Sequence, residues 1–128
     1  LTDIAGASEY FLLGVTAYAN EAKIKMLDVP SELIKRHGAV SAEVAEAMAS
    51  GVRKKAGSDY GISVTGIAGP SGGTKEKPVG LVFIGYSDET ETKSFKVILP
   101  GDRYLIRWRA SQAALDYLRR KILHKEKI

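Results

Sequence analysis

Two runs of apolar residues flank a long segment rich in glycine near the middle of the chain. They predict strands over residues 60–65 and 79–87, because short runs rich in β-branched and aromatic residues and bounded by turn residues are typical of buried strands. A third run, over residues 92–99, alternates apolar with polar positions, as expected of a half-exposed antiparallel strand. The apolar residues between positions 12 and 18 predict a further strand.

The remaining periodic segments predict helices with recognisable ends. A helix is predicted over residues 42–56, because Ser41 is a good N-cap and Gly57 can adopt the left-handed conformation that ends helices. A shorter helix is predicted over about residues 21–27, with Asn20 as its N-cap. Both lie between predicted strands, so the pattern indicates helices packed on a sheet.

Two more helices are predicted over residues 32–37 and 103–123. The inward-facing stripe expected of the last helix consists of Leu105, Trp108, Gln112, Leu115, Leu118 and Ile122. A strand, helices, three strands and a helix in this order predict an α/β domain with a mixed sheet. At 128 residues, the chain is expected to form a single domain with a real core.

Composition excludes several classes of site. The chain has no cysteine, which rules out disulfides, thiolate metal sites and cysteine nucleophiles. Its two histidines, His37 and His124, are isolated and cannot build a histidine-rich metal centre. No apolar stretch approaches the roughly 20 residues of a membrane span, and the start does not resemble a signal peptide. We therefore expect a cytoplasmic protein that does not bind membranes.

The net charge of +4 mildly favours anionic small molecules as ligands. Much of this charge lies at the C-terminus, where a solvated helix end is expected. The basic residues there are Arg119, Arg120, Lys121, Lys125 and Lys127. Because no aromatic residues are interleaved with a basic patch, nucleic-acid binding is not expected.

A serine, a tyrosine and a lysine near the N-terminus form the first candidate site. Ser8 lies in a predicted helical turn, Tyr18 at the end of a predicted strand, and Lys23 on the first turn of the next helix. A helix N-terminus destabilises a nearby cation, which would lower the lysine pKa and make it a usable base. A neutral lysine can take a proton from serine, with tyrosine relaying it. A solvated lysine and a capping serine are the alternatives.

The glycine-rich segment over residues 65–78, which we call the glycine loop, is the second candidate. Its backbone N–H groups could cradle a phosphate or form an oxyanion hole, with Thr65 at the entrance. A flexible hairpin connection is the alternative. The loop does not match the Walker motif, and Lys75 and Lys77 are expected to be exposed loop charges rather than ligands.

The third candidate is the turn at Gly101, Asp102 and Arg103, which precedes the last predicted helix. A helix N-terminus favours anions, and an arginine can clamp a phosphate or carboxylate through two hydrogen bonds. An Asp102 N-cap beside a surface arginine is the alternative at this position.

Six blocks of the sequence, in order and spacing, closely resemble the CinA C-terminal domain family. They are Asp-Ile-Ala-Gly-Ala-Ser (3–8), Tyr-Ala-Asn-Glu-Ala-Lys (18–23), His-Gly-Ala-Val-Ser (37–41), Thr-Gly-Ile-Ala-Gly-Pro (65–70), Glu-Lys-Pro-Val-Gly (76–80) and Pro-Gly-Asp-Arg (100–103). The resemblance runs from residue 1 to about residue 120. It implies a three-layer α/β/α fold, a homodimer and a nicotinamide-nucleotide amidase, which converts nicotinamide mononucleotide to nicotinate mononucleotide and ammonia.

The resemblance also implies which residues act. Ser8 would be the nucleophile, Lys23 the general base and Tyr18 an aid to proton transfer, with no metal or other cofactor. The implied substrate-binding residues are Thr65, Gly66, Ala68, Gly69, Arg103 and Asn20. Two family patterns are altered: Gly-Ser-Ser is replaced by Gly-Ala-Ser at residues 6–8, and Tyr-Ser-Asn by Tyr-Ala-Asn at residues 18–20. The candidate nucleophile is retained.

Family members carry a helix, a first strand and a Glu-Ser-x-Thr-Gly-Gly loop before the point that corresponds to residue 1. We expect this sequence to be part of a longer protein, since loss of a core strand would leave an unpaired edge. A different class of function is a non-catalytic nucleotide-binding or interaction module linked to competence or DNA damage. A phosphotransferase is disfavoured, because no acidic metal-binding pair lies near the glycine loop.

Overall fold

The computed structural model describes residues 1–126 and contains four helices and three strands in that range. They are α1 (Asn20–Leu27), α2 (Ser31–His37), α3 (Ala42–Ala56), β1 (Gly61–Gly66), β2 (Leu81–Ser87), β3 (Thr92–Ile98) and α4 (Arg103–Glu126), preceded by a 3-10 turn (Ala7–Glu9). All predicted helices are present. The predicted N-cap of α1 is wrong by one residue: Ala19 is the cap, and Asn20 is already helical.

The three strands form one sheet in the order β1-β2-β3, and both pairs are antiparallel. Val64 lies opposite Ile84, which in turn lies opposite Phe95, so the antiparallel strand predicted over residues 92–99 pairs with β2, and the hairpin alternative holds for the glycine loop. The α/β class is confirmed. The expectation of a mixed sheet is wrong for residues 1–126, because every strand there follows its partner through a hairpin and no helical crossover joins two of them.

The predicted strand over residues 12–18 is not a strand in the structure. The segment is not helical, and no strand of residues 1–126 forms a β-ladder with it. Val15 and Ala17 pack against the core, whereas Leu12 is 55% exposed and Tyr18 is 82% exposed. The apolar composition of the segment was the basis of the predicted strand. It did not report a pairing partner, which is what makes an extended segment a strand.

Helices cover both faces of the sheet, as the three-layer prediction requires. Val82 and Ile84 point to the face covered by α4, where they pack with Ile106. Ser63 points to the opposite face, where its Oγ donates a hydrogen bond of 2.6 Å to the Ala45 carbonyl of α3. Successive strand residues point to opposite faces, so the sheet forms an apolar cluster with α4 on one face and packs through small residues against α3 on the other.

Small residues bring α3 very close to the sheet. A Cβ atom on Gly85 would overlap the Ala45 carbonyl oxygen, and one on Gly61 would overlap the carbonyl oxygen of Ala49. Ala45 and Ala49 are themselves fully buried. The helix backbone therefore rests against the strand backbones, and the sheet's position relative to α3 depends on these glycines.

The ends of α3 confirm the predicted caps. Ser41 Oγ accepts a hydrogen bond from the Val44 N–H at 3.3 Å, and Gly57 ends the helix at φ 64°. On its side away from the sheet, α3 shares a second core cluster with α1 through Leu27 and Met48. Helix α3 therefore lies between the sheet and α1.

The predicted inward stripe of α4 is wrong in its first half. Trp108 is 55% exposed and Leu105 is 36% exposed, whereas Ile106, Ala110 and Ala114 are buried against the sheet. The alanines let the helix approach the sheet closely, and the bulkier side chains point outward. The predicted stripe followed the large apolar side chains rather than the alanines, and it therefore lies beside the stripe that is actually buried.

At the basic end of α4, Arg119 and Arg120 are exposed as predicted, whereas Lys121 is partly buried. Lys121 Nζ lies 2.5 Å from Glu91 Oε1 and 5.2 Å from the centre of the Tyr86 ring, while Arg119 and Arg120 both pair with Asp116. The Lys127 prediction lies outside the described residues. Within residues 1–126, no helix has both the length and the apolar character needed to cross a membrane.

Candidate functional site

Lys23 is a buried lysine that has no carboxylate partner within residues 1–126. Its side chain lies in α1 and is 6% exposed. Its Nζ donates to the backbone carbonyl oxygens of Ala17 at 2.9 Å and Tyr18 at 3.4 Å. Burial lowers the pKa of the Lys23 ammonium below its usual range. The expected pKa shift has the predicted direction, but its cause is desolvation rather than the helix dipole.

The two carbonyl acceptors are compatible with a neutral Lys23 as well as with its ammonium form. A neutral amine has two N–H donors and one lone pair, and both donors can be taken by Ala17 and Tyr18. The lone pair then stays available to accept a proton. The alternative of a solvated surface lysine is wrong, because Lys23 is 6% exposed and its Nζ contacts the backbone of Ala17 and Tyr18.

Arg103 joins Tyr18 to the glycine loop. Its Nη2 donates to the Tyr18 hydroxyl at 3.3 Å, and its Nη1 donates to the Gly69 carbonyl at 2.8 Å. The two contacts span 85 and 34 residues of sequence. The side chain of Tyr18 is 82% exposed, so this hydroxyl remains accessible from solvent.

Arg103 stands at the start of α4, as predicted, and Asp102 caps that helix. The Leu105 N–H donates to Asp102 Oδ1 at 2.9 Å, and the Ile106 N–H donates to the Asp102 carbonyl. The carboxylate is thus occupied with the helix end, which confirms the N-cap alternative for Asp102. The arginine is more than a surface charge, because both of its terminal nitrogens have acceptors.

Ser8 lies in the middle of the 3-10 turn and is exposed. Gly6, at φ 90°, provides the N-terminal cap of this turn, so Ser8 does not serve as that cap. Within residues 1–126, the Ser8 hydroxyl makes no hydrogen bond, and none joins it to Lys23 or Tyr18. The hydroxyl is therefore open to solvent and to a ligand.

The glycine loop connects two antiparallel neighbours, β1 and β2, and is internally tied. The Gly80 N–H donates to the Ile67 carbonyl, and the Thr74 N–H donates to the Lys77 carbonyl, each at 2.8 Å. In the described part of the chain, the N–H groups of Ala68 and Gly69 have no acceptor. The topology is that of the hairpin alternative, and backbone N–H groups without an acceptor are of the kind that bind an oxyanion or phosphate.

Two residues of this loop differ from what the sequence predicted. Thr65 is 7% exposed, and its hydroxyl donates to the Ala39 carbonyl at 2.8 Å. Lys77, expected to be an exposed loop charge, donates from Nζ to the His37 carbonyl at 2.6 Å. That interaction crosses 40 residues and involves a backbone acceptor, so no local sequence signal could have indicated it.

Hydrogen bonds bring Tyr18, Lys23, Gly69 and Arg103 into one connected group. They do not link Ser8, Asn20, Thr65, Gly66 or Ala68 to that group within residues 1–126. No cluster of three or more His, Asp or Glu residues in this range is arranged to hold a metal ion. The group consists of a buried amine of lowered pKa that contacts the Tyr18 backbone carbonyl, and a guanidinium that contacts the exposed Tyr18 hydroxyl and the Gly69 carbonyl.

A model of the CinA C-terminal domain family matches residues 1–122. The chain belongs to this family. A CinA-like protein from Endomicrobium trichonymphae is 54% identical over 125 residues, which cover 98% of this chain and 29% of that relative. The family resemblance inferred from the six sequence blocks is therefore confirmed.

Solved structures of the family support the fold. The competence/damage inducible protein CihA from Agrobacterium tumefaciens is 37% identical, with a TM-score of 0.88 over 91% of this chain and 72% of that one. The competence damage-inducible protein A (ComA) from Klebsiella pneumoniae is 32% identical, with a TM-score of 0.89 over 94% of this chain and 75% of that one. The chain spans less than a third of the Endomicrobium relative's length, so the activity of such longer proteins comes to it only as a proposal.

Proposed function

We propose that this CinA-family chain is an amidohydrolase that converts nicotinamide mononucleotide to nicotinate mononucleotide and ammonia. The observation that carries the proposal is Lys23: a buried amine whose pKa is lowered by desolvation and whose two N–H donors face backbone carbonyls. A lowered pKa makes such an amine a better general base than an exposed lysine of ordinary pKa.

The proposed reaction uses Ser8 as the nucleophile. Its Oγ attacks the carboxamide carbon, and its proton passes to Lys23, directly or through the Tyr18 hydroxyl. Lys23 returns this proton to the departing nitrogen, which leaves as ammonia, and an ester remains on Ser8. Water then attacks the ester, gives a proton to Lys23 and releases the carboxylic acid, and the proton returns to Ser8. Neither half of the reaction is an oxidation or a reduction.

The remaining site residues would bind the substrate. We assign the oxyanion or the phosphate to the open N–H groups of Ala68 and Gly69. The Thr65 hydroxyl proton is already donated to Ala39, so Thr65 can offer only acceptor lone pairs to a ligand. Arg103 supplies a positive charge for an anionic group, while Asn20 and Gly66 line the same region in this proposal.

The test is ammonia release from nicotinamide mononucleotide by the parent chain and its Ser8→Ala and Lys23→Ala variants. We expect turnover in the parent and loss of about a hundredfold or more in each variant, with folding retained. Ser50→Ala, on α3, is a matched control for the serine substitution. Full turnover in Ser8→Ala would refute the serine mechanism.

A non-catalytic nucleotide-binding or interaction module is the second candidate. It is favoured by the names of the two solved relatives, which describe competence or damage-inducible proteins. It predicts that nicotinamide mononucleotide binds without turnover and that Ser8→Ala changes nothing. In either case we expect a cytoplasmic homodimer, which light scattering on the purified chain would test.

A further inference from the structure

Three consecutive backbone carbonyls, of the last residue of α2 and of the two residues that follow it, each accept a hydrogen bond from a side chain. The donors and acceptors are Lys77 Nζ to His37 O at 2.6 Å, Ser41 Oγ to Gly38 O at 2.8 Å, and Thr65 Oγ1 to Ala39 O at 2.8 Å. The three side chains come from the glycine loop, the cap of α3 and β1. The connection between α2 and α3 is therefore a fixed platform to which the glycine loop is attached.

The attachment through Lys77 is tight. Gly38 adopts φ 79°, and a Cβ atom at this position would lie 3.0 Å from Lys77 Nζ. The donor is an ammonium group and the acceptor is the carbonyl of the last residue of α2, so the hydrogen bond is charge-assisted. The neighbouring Lys75, by contrast, is exposed.

Lys77 belongs to a folded part of the glycine loop that includes Gly69. The Lys77 N–H donates to Thr74 Oγ1 at 3.0 Å, and the Lys77 carbonyl accepts from the Thr74 N–H at 2.8 Å. Two residues further on, Val79 packs so closely against Gly69 and Gly73 that neither could carry a side chain without a shift. A movement of the loop at Lys77 would therefore move Gly69.

Gly69 in turn holds Arg103. Its carbonyl accepts from Arg103 Nη1 at 2.8 Å, and Arg103 Nη2 donates to the Tyr18 hydroxyl. We propose that Lys77 is a positioning residue: by fastening the glycine loop to the platform between α2 and α3, it keeps the Gly69 carbonyl where it orients Arg103 towards Tyr18. The kinetic consequence of this positioning rests on the amidase function proposed above.

The kinetic test compares Lys77→Met with Lys77→Arg, and uses Lys75→Met as the matched control. We expect Lys77→Met to raise KM for nicotinamide mononucleotide about tenfold and to leave kcat within about twofold, because substrate binding by Arg103 is weakened. Lys77→Arg keeps a donor and restores most of the affinity, and Lys75→Met behaves as the parent. Combined with Arg103→Lys, Lys77→Met should add little further loss, since both act through one group. Full additivity, or an unchanged KM, would overturn the proposal.

A second measurement does not depend on turnover. Hydrogen exchange of the amides in residues 67–80 should speed up at least about tenfold in Lys77→Met while α3 stays protected, and Lys77→Arg should reverse this. In nitrogen-15 spectra, the Arg103 guanidinium should lose its restricted rotation in Lys77→Met only. If the parent shows no turnover, the amidase proposal fails, and these two readouts still decide the role of Lys77. Unchanged exchange and unchanged Arg103 signals would refute it.

Discussion

Replacing Lys23 by methionine separates the chemistry of the amine from the packing of its side chain. Methionine keeps a flexible, unbranched apolar stem of similar length and removes the nitrogen. The control is Lys25→Met on the same helix. Lys25 lies in an exposed pair with Glu21 at 3.1 Å, with side chains that are 71% and 75% exposed, so its loss should change the unfolding free energy by less than about 0.5 kcal/mol.

Two effects of Lys23→Met on stability oppose each other. The variant loses one good and one long hydrogen bond, at 2.9 and 3.4 Å, which together stabilise the fold by about 1–2 kcal/mol. It also removes the cost of burying an amine that is 6% exposed. We therefore expect the unfolding free energy at pH 7 to change by less than about 2 kcal/mol. If Lys23 is the base, turnover nevertheless falls by about a hundredfold or more.

The pH dependence of stability provides a stricter test. The pKa of Lys23 is lowered in the folded state from an ordinary value of 10.5. Between the folded pKa and 10.5 the unfolded chain therefore binds more protons than the native one, and the stability of the parent rises with pH in this window. Lys23→Met lacks this contribution. Hence the stability of the parent minus that of the variant should increase with pH between the lowered folded pKa and about 10.5, with a slope of at most about 1.4 kcal/mol per pH unit.

The assay is urea unfolding, followed by circular dichroism, of the parent, Lys23→Met and Lys25→Met at several values between pH 7 and pH 10.5. The contributions of the tyrosines are common to all three chains and cancel in the differences. A difference between parent and Lys23→Met that stays flat over this range would show that the amine is not desolvated. Turnover retained in Lys23→Met would separately show that another group is the base.

Two further substitutions test the core. Gly85→Ala should lower the unfolding free energy by about 2–3 kcal/mol, because the new Cβ would overlap the Ala45 carbonyl and Ser63 Oγ. A loss below about 0.5 kcal/mol, measured by urea unfolding, would mean that α3 can move away from the sheet at little cost. Burial and the Asp88 carboxylate raise the pKa of the Tyr86 phenol, whose hydroxyl donates to Asp88 Oδ2 at 2.5 Å. Tyr86→Phe removes this donor from a carboxylate that is 3% exposed and should lower the unfolding free energy by about 1.5–3 kcal/mol. The control Tyr104→Phe, at a position that is 71% exposed, should leave the unfolding free energy almost unchanged. Equal losses in the two variants would argue against a stabilising Tyr86–Asp88 hydrogen bond.

Local signals in the sequence predicted elements well where the physical cause is local. The ends of α3 follow from Ser41 and Gly57, because a cap depends on the residue's own conformation and on the next turn of backbone. The hairpins around β2 follow from runs of apolar residues separated by turn residues. In α4 the same reasoning failed, because the alanines that pack on the sheet give a weaker hydrophobic signal than the outward-facing Trp108.

In the candidate site, too, features with local causes could be predicted and features with long-range causes could not. The sequence by itself determined the α/β class, most element boundaries and, through six blocks of motif, the family and the residues to consider. Only the tertiary structure decided that Lys23 is buried with no carboxylate partner among residues 1–126, that Arg103 joins Tyr18 to Gly69, and that Lys77 is fastened to the end of α2. These features depend on burial and on backbone carbonyls distant in sequence. Every residue has such a carbonyl, so residue types alone cannot indicate which one a side chain will bind.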